Sequence, residues 1–148
     1  MRRRVARESA LQILYSLEGK ATEELLRVPV PEAIELYHEH FGNREVTDEE
    51  FLGRILQGTL REYEKFNDLI ANQSEHWKLE RMALVDRNIL RFSLYELIHL
   101  NDVPCSVTIN EAVEIAKRFG TEESGAFING ILDQIWKHLP PNPEKLAH

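Results

Sequence analysis

One segment limits the choice of folds more than any other. It is Val85-Asp-Arg-Asn-Ile-Leu-Arg-Phe-Ser-Leu-Tyr-Glu-Leu-Ile-His99, which has neither glycine nor proline and reads as one helix with Asp86 near its start. At 100° per residue, Ile89, Leu90, Ser93, Leu94, Leu97, Ile98 and Leu100 cover more than half its circumference. A helix so apolar has to be central, touching several others. Arg87, Arg91 and Tyr95 share its narrow remaining face. No segment alternates apolar and polar residues with period two for long enough to be a strand. The fold class is all-α, with about seven helices counting short ones.

The other helices follow from their stripes and stops. Ala6, Ala10, Ile13, Leu14 and Leu17 recur at helical spacing and end at Gly19-Lys20. Thr22 to Val28 is a short acidic piece, and Pro31 opens a helix that ends near Phe41-Gly42-Asn43. Thr47-Asp48-Glu49-Glu50 reads as a capping box with Thr47 at the N-cap. Behind it a single long helix is expected to about Asn72, burying Phe51, Leu52, Ile55, Leu56, Leu60, Tyr63, Phe66 and Ile70. Its other face, with Arg54, Arg61, Glu62 and Lys65, reads as solvated.

Asn72-Gln73-Ser74 breaks the pattern and divides the chain into lobes of residues 1–74 and 75–148. Trp77 to Met82 reads as a short helical turn, and Asn101 to Pro104 as a turn. Thr108-Ile109-Asn110-Glu111 reads as a second capping box, starting a helix with Ile109, Ala112, Val113 and Ala116 inward and Phe119-Gly120 at its end. Ser124 or a neighbour caps the last helix, whose stripe is Phe127, Ile128, Ile131, Leu132, Ile135 and Leu139, before Pro140-Pro141 stops it.

Charge is placed unevenly. The chain carries −7 overall, yet residues 1–20 carry +3, residues 21–76 carry −8 and residues 77–148 carry −2. Four of the first seven residues are arginine, and Arg4, Arg7, Leu11 and Tyr15 share one strip of the first helix. Guanidinium groups in line with an aromatic ring suit phosphates and unstacked bases. The plainer alternative is a disordered basic start ahead of a core helix, with Tyr15 as packing. A nucleic-acid surface on this chain would be local, with the acidic middle facing away.

Other chemistries find little support. No run of 18 apolar residues spans a membrane, and no apolar signal region follows the arginines. The single cysteine, Cys105, excludes an internal disulfide, suits a reducing cytoplasm and reads as a buried or incidental thiol. Tyr37-His38-Glu39-His40 places its histidines two apart, on different sides of a helix, so it reads as a solvated helix end rather than a metal site. There is no phosphate-cradling glycine loop, nucleophile elbow or H-E-x-x-H pair. Glu122-Glu123 at a helix start complements the helix dipole without catalysis. An enzyme is not expected, nor any cofactor or metal.

Four stretches in order resemble the NusB family of bacterial transcription antitermination factors. They are Arg3-Arg4-x-Ala6-Arg7-Glu8-x-Ala10-Leu11-Gln12-x-Leu14-Tyr15; Val85 to Arg91 with Tyr95-Glu96-Leu97; Pro104-x-x-Val107-x-Ile109 to Lys117; and Phe127-Ile128-Asn129-Gly130-Ile131-Leu132-Asp133. Residues 20–76 match only in helical pattern. The resemblance implies two packed helical bundles within one NusB-like domain over residues 1–148. It also implies binding to single-stranded boxA RNA in nascent ribosomal RNA, a heterodimer with the ribosomal protein NusE, and a larger assembly with RNA polymerase, NusA and NusG that reads through terminators. Family members are monomers or homodimers, so a homodimer stays open.

Carried over by position, the family's RNA surface falls on Arg3, Arg4, Arg7 and Tyr15, on Glu80, Asp86 and Arg91, and on Phe119, Glu123 and Phe127. Arginines neutralise phosphates or stack on bases, and the aromatic rings offer faces to splayed bases. Glu80 and Asp86 can accept from amino groups on base edges. Core packing is the alternative for Phe119 and Phe127, an ion pair with Glu96 or Asp86 for Arg91, and helix-start placement for Glu123. Val5 stands where relatives commonly carry a further basic residue, which lowers the expected affinity for RNA alone and makes NusE matter more. Two rivals remain at this stage: the NusB-like domain of a ribosomal RNA methyltransferase, disfavoured if the chain ends at His148 without a cofactor-binding half, and a helical protein-interaction module without RNA contact.

Overall fold

In a computed structural model of the protein, residues 2–42, 44–73 and 79–146 are described, Glu80 by its backbone only. They form eight α-helices: α1 (Arg2–Ser16), α2 (Thr22–Leu26), α3 (Val30–Phe41), α4 (Glu49–Arg61), α5 (Tyr63–Gln73), α6 (Leu84–His99), α7 (Cys105–Phe119) and α8 (Ser124–His138). Short 3-10 turns occupy Arg44–Val46 and Leu79–Arg81, and no strand forms among the described residues. The chain divides into two compact units, Met1–Tyr63 and Glu64–His148. The lobe boundary expected at Asn72-Gln73-Ser74 runs into residues outside the described set.

The first unit is built on α4. Phe51, Leu52, Ile55, Leu56 and Leu60 on α4 are almost wholly buried, and α1, α2 and α3 each pack against that helix. On α1, Ala6, Ala10, Leu11, Ile13 and Leu14 turn inward. The arginines at its start belong to the helix rather than to a disordered lead. Gly42 ends α3 in the left-handed conformation, at φ +65°, where a side chain would be strained.

The second unit is built on α6, which packs against both α7 and α8. Ile89, Leu90, Phe92 and Leu94 are fully buried, as are Ile115 on α7 and Ile128 and Leu132 on α8. The C-terminal segment folds back over the end of α6. Lys145 Nζ donates to the carbonyls of Glu96 (2.7 Å) and Leu100 (2.6 Å), and Leu146 N–H donates to Asn101 O at 2.9 Å. An ammonium group on the terminal carbonyls of a helix satisfies acceptors that have no partner within it and complements its dipole. Burial there pulls the Lys145 pKa below its ordinary value.

Several local expectations are corrected. The long helix over 47–72 is two helices, because the backbone leaves helical geometry at Glu62 (φ −111°, ψ 27°). The apolar stripe nevertheless continues, with Tyr63, Phe66 and Ile70 buried beyond the break. The N-cap of α4 is Asp48, whose Oδ1 accepts from Phe51 N–H at 3.1 Å, and not Thr47, which is buried in the preceding loop. The third helix of the second unit starts at Cys105, so Thr108 is not a cap. Thr108 lies a turn inside α7, and its hydroxyl donates to the buried Glu96 carboxylate at 3.2 Å. Tyr37 and His38 are buried rather than solvated. His38 Nε2 sits 2.5 Å from Glu49 Oε1, within ion-pair distance but outside hydrogen-bond alignment. Trp77 lies outside the described residues.

The reassigned cap has a measurable consequence. Asp48→Ala is expected to cost about 1 kcal/mol of stability in chemical denaturation, with Asp48→Asn recovering most of it because Asn is as good an N-cap.

Candidate RNA interface

At the start of α1, the arginines are anchored rather than waving in solvent. Arg2 donates from Nη1 to Glu45 O (2.7 Å) and from Nη2 to Thr47 O (2.9 Å), while its own carbonyl accepts from Asp48 N–H at 3.2 Å. Arg3 Nε lies 3.6 Å from Asp48 Oδ2, and the Arg3 guanidinium carbon stands 4.5 Å from the Phe51 ring centroid. The guanidinium of Arg7 stands 4.9 Å from the same centroid. The Arg4–Arg7–Leu11–Tyr15 strip is therefore mixed. Arg7 and Leu11 are buried, at 3% and 2% exposure, whereas Tyr15 is 49% exposed and Arg4 is half-buried. Packing of α1 onto α4 brings Phe51 under Arg7 of that strip and under Arg3 beside it, which the sequence of α1 alone does not reveal.

In the second unit a cleft of about 150 Å³ lies among Arg81, Met82, Ala83, Asp86, Thr121, Glu123, Ser124 and Phe127. Three residues expected at the RNA surface, Asp86, Glu123 and Phe127, thus meet in one place. Asp86 is 92% buried when its 8% exposure is taken from the whole, and one of its oxygens, Oδ1, has no hydrogen-bond partner. Burial raises the Asp86 pKa above the usual carboxylate value, and a hydrogen bond with Ser124 opposes that shift. A desolvated acceptor beside an aromatic edge suits a group that brings its own N–H donors, as the amino group of a base does. Phe127 is half-buried and Glu123 is exposed, which leaves both within reach of a ligand.

Not every expected residue joins this cleft. Arg91 is buried at 3% exposure and braces α6 from within: its Nε donates to Asn67 Oδ1 and its Nη1 to Asn88 Oδ1, each at 2.8 Å. Asn88 Nδ2 in turn donates to Leu84 O at 3.0 Å. Two side-chain amides, Asn67 and Asn88, are therefore among the partners of Arg91. Phe119 does not line the cleft; it ends α7 with the Arg118 guanidinium 5.0 Å from its ring centroid. The side chain of Glu80 lies outside the described residues.

Sequence reasoning missed Ser124 and Gly120 as parts of the site. Ser124 opens α8, and its Oγ accepts from Thr121 N–H at 2.9 Å as well as serving Asp86. Gly120 allows this close turn, because a Cβ there would overlap Ser124 Oγ and Cβ and lie 2.9 Å from Ala116 O. Both were legible only as helix stop and helix start. Elsewhere, Cys105 is buried on α7 with its thiol pKa pushed up by desolvation, which fits an inert side chain. Among the described residues no cluster of His, Cys, Asp and Glu is arranged to hold a metal ion, and no helix is long and apolar enough to cross a membrane.

The described residues define an all-α protein with a basic first helix and, in the second unit, an acidic, aromatic-edged cleft. The family follows from comparison with known proteins. The NusB family model matches residues 4–137, and the chain belongs to the NusB family. It is 43% identical over 140 residues to the "Transcription antitermination protein NusB" of Thermodesulfovibrio yellowstonii, covering 93% of each chain. It is 44% identical to the protein of the same name from Desulfitobacterium hafniense, covering 98% of this chain and 95% of that one. Among solved structures, a T. maritima NusB superposes with a TM-score of 0.78 at 35% identity, covering 97% of this chain and 96% of that one. A chain of a complex described as "Antitermination Factors NusB and NusE in complex with dsRNA" superposes at 0.70 with 25% identity, covering 92% of this chain and 96% of that one.

Two substitutions separate brace from contact. Arg91→Ala leaves the Asn67 and Asn88 carbonyl oxygens without their donor and is expected to cost roughly 2–3 kcal/mol in denaturant unfolding. Asp86→Asn is expected to raise the melting temperature at neutral pH. The folded-state pKa of Asp86 lies above its unfolded value, so the protonated form favours folding and ionisation, as pH rises through the raised value, costs stability. The advantage of Asn should therefore shrink as pH falls into the ordinary carboxylate range, which melts across a pH series would show.

Proposed function

We propose that this chain is an RNA-binding transcription antitermination factor that, with NusE, binds the boxA element of nascent ribosomal RNA and helps RNA polymerase pass terminators. The observation that carries the reading is the cleft, where a 92%-buried Asp86 with an unpartnered oxygen meets Phe127 and Glu123. Such an arrangement discriminates base edges, which a protein reading only phosphates would not need. The relatives' name, transcription antitermination protein, and the solved NusB–NusE–RNA complex support it.

In this reading Arg3 and Arg4 supply phosphate contacts and Tyr15 a face for a splayed base. Asp86 accepts from a base amino group, Phe127 stacks, and Glu123 acts at the rim. Arg7 and Arg91 contribute by holding neighbours, and Phe119 flanks the surface. NusA, NusG and RNA polymerase complete the assembly in the cytoplasm. The protein is an adaptor and not an enzyme, and the homodimer, where it forms, is a second state of the same chain. The methyltransferase-domain reading loses ground because the curated relatives are matched over nearly their whole length.

Fluorescence anisotropy with a short boxA-type RNA tests this. Affinity is expected to rise with NusE and to fall with salt by several counterions' worth. Arg3→Glu with Arg4→Glu should cut affinity at least tenfold, as roughly two lost phosphate contacts require, with the circular dichroism melt little changed. Unchanged RNA affinity in that double variant would sink the assignment of the N-terminal helix.

A further inference from the structure

The residue that gathers the first unit's arginines is Phe51. It is 1% exposed, in the first turn of α4, and two guanidiniums from α1 stand over its ring at 4.5 and 4.9 Å. An apolar residue of another kind would fill the core as well. What the ring adds is a face of negative quadrupole that attracts cations and holds their planes at a set height. The same turn of α4 fixes Arg3 a second time. Asp48 Oδ1 caps the helix through Phe51 N–H, and Asp48 Oδ2 pairs with Arg3 Nε.

We infer that Phe51 is a positioning residue for RNA binding: its ring orients Arg3, with Arg7 packed beside it as a buried support. The inference rests on the RNA reading above. Arg3 is divided between the two roles by its exposure. Its side chain is 42% exposed, so part of it stays open to solvent, and to a phosphate or base, while Asp48 and the Phe51 ring hold it. A long side chain otherwise loses considerable rotamer freedom on binding, and holding it beforehand removes part of that loss. Arg7, at 3% exposure, has no such open side. It contributes positive potential and backs the ring. Phe51 touches no RNA in this account and acts wholly through the arginines.

The test compares Phe51→Leu and Phe51→Met, which keep apolar volume and remove the ring, with Phe51→Tyr, which keeps it. Leu52→Val serves as a control, since Leu52 is 0% exposed on the same turn of α4 and carries no ring. Two readouts are taken on the full-length protein. One is the ring-current shift of the Arg3 and Arg7 side-chain protons by NMR, which needs no RNA. The other is anisotropy with a fluorescein-labelled boxA-type single-stranded RNA over a salt series.

Both ring-less variants are expected to lose the upfield arginine shifts, to bind RNA about fivefold more weakly, and to show a salt slope smaller by about 1. Phe51→Tyr and Leu52→Val should stay near the parent in both. A core effect alone would lower the folded fraction without altering the slope of the folded protein. The inference is overturned if either ring-less variant folds and binds RNA as the parent does, or if Leu52→Val weakens binding as much as Phe51→Leu. In either case a weakened Arg3→Glu/Arg4→Glu double variant would leave the RNA reading standing. If that double variant binds as well as the parent, the RNA reading of this helix fails and the positioning role fails with it.

Discussion

A helix covered on nearly every side has to find partners inside the protein for each polar group it carries, and α6 sets this condition for the second unit. Asn88, Arg91 and Glu96 are all at or below 3% exposure on a helix whose neighbours are α7 and α8. Each is answered: Asn88 donates to a backbone carbonyl, Arg91 to two amide oxygens, and Glu96 accepts from Thr108. Even the terminal carbonyls of α6 receive an ammonium group, from Lys145. An unanswered buried polar group costs more than a made hydrogen bond returns, so these partners fix where α5, α7 and the C-terminal segment sit within the unit.

Asp86 differs from these three, because its Oδ1 is buried with no hydrogen-bond partner among the described residues. The close turn at Gly120 brings up the Ser124 hydroxyl, which serves Asp86 at the wall of the cleft. A protein under selection for stability alone would fill this space or neutralise the acid. Keeping a desolvated acceptor makes sense when a donor arrives with a ligand, and a nucleobase amino group is such a donor.

The sequence made the helices and their buried stripes legible, because period and stops are local. The α4–α5 stripe from Phe51 to Ile70 was read correctly even though the single helix assumed to carry it is two. Caps were read less well. Thr47 and Asp48 are adjacent and both competent, and Thr108-Ile-Asn-Glu111 has a capping pattern one turn inside its helix, where Thr108 serves Glu96 instead. Asp86, Glu123 and Phe127 line one cleft. The arginines were the hard part. Whether a guanidinium is exposed depends on what packs beneath it, and for Arg7 and Arg91 the answers, Phe51 and Asn67, lie 44 and 24 residues away.

That dependence changes how the basic helix works. Charge counting treats four arginines as four equivalent units of positive potential, yet their surroundings differ. Arg2 is tied to two backbone carbonyls, Arg7 lies buried on a ring, and Arg3 is held by Asp48 and the same ring with its side chain part-exposed. A cation that is fixed before the ligand arrives gives up less entropy on contact than one that swings freely. The acidic loop and α4 therefore do more than carry charge away from the RNA. By holding α1 through Asp48, Thr47 and Phe51, they convert a run of arginines, which in isolation would bind any polyanion, into side chains presented at set positions.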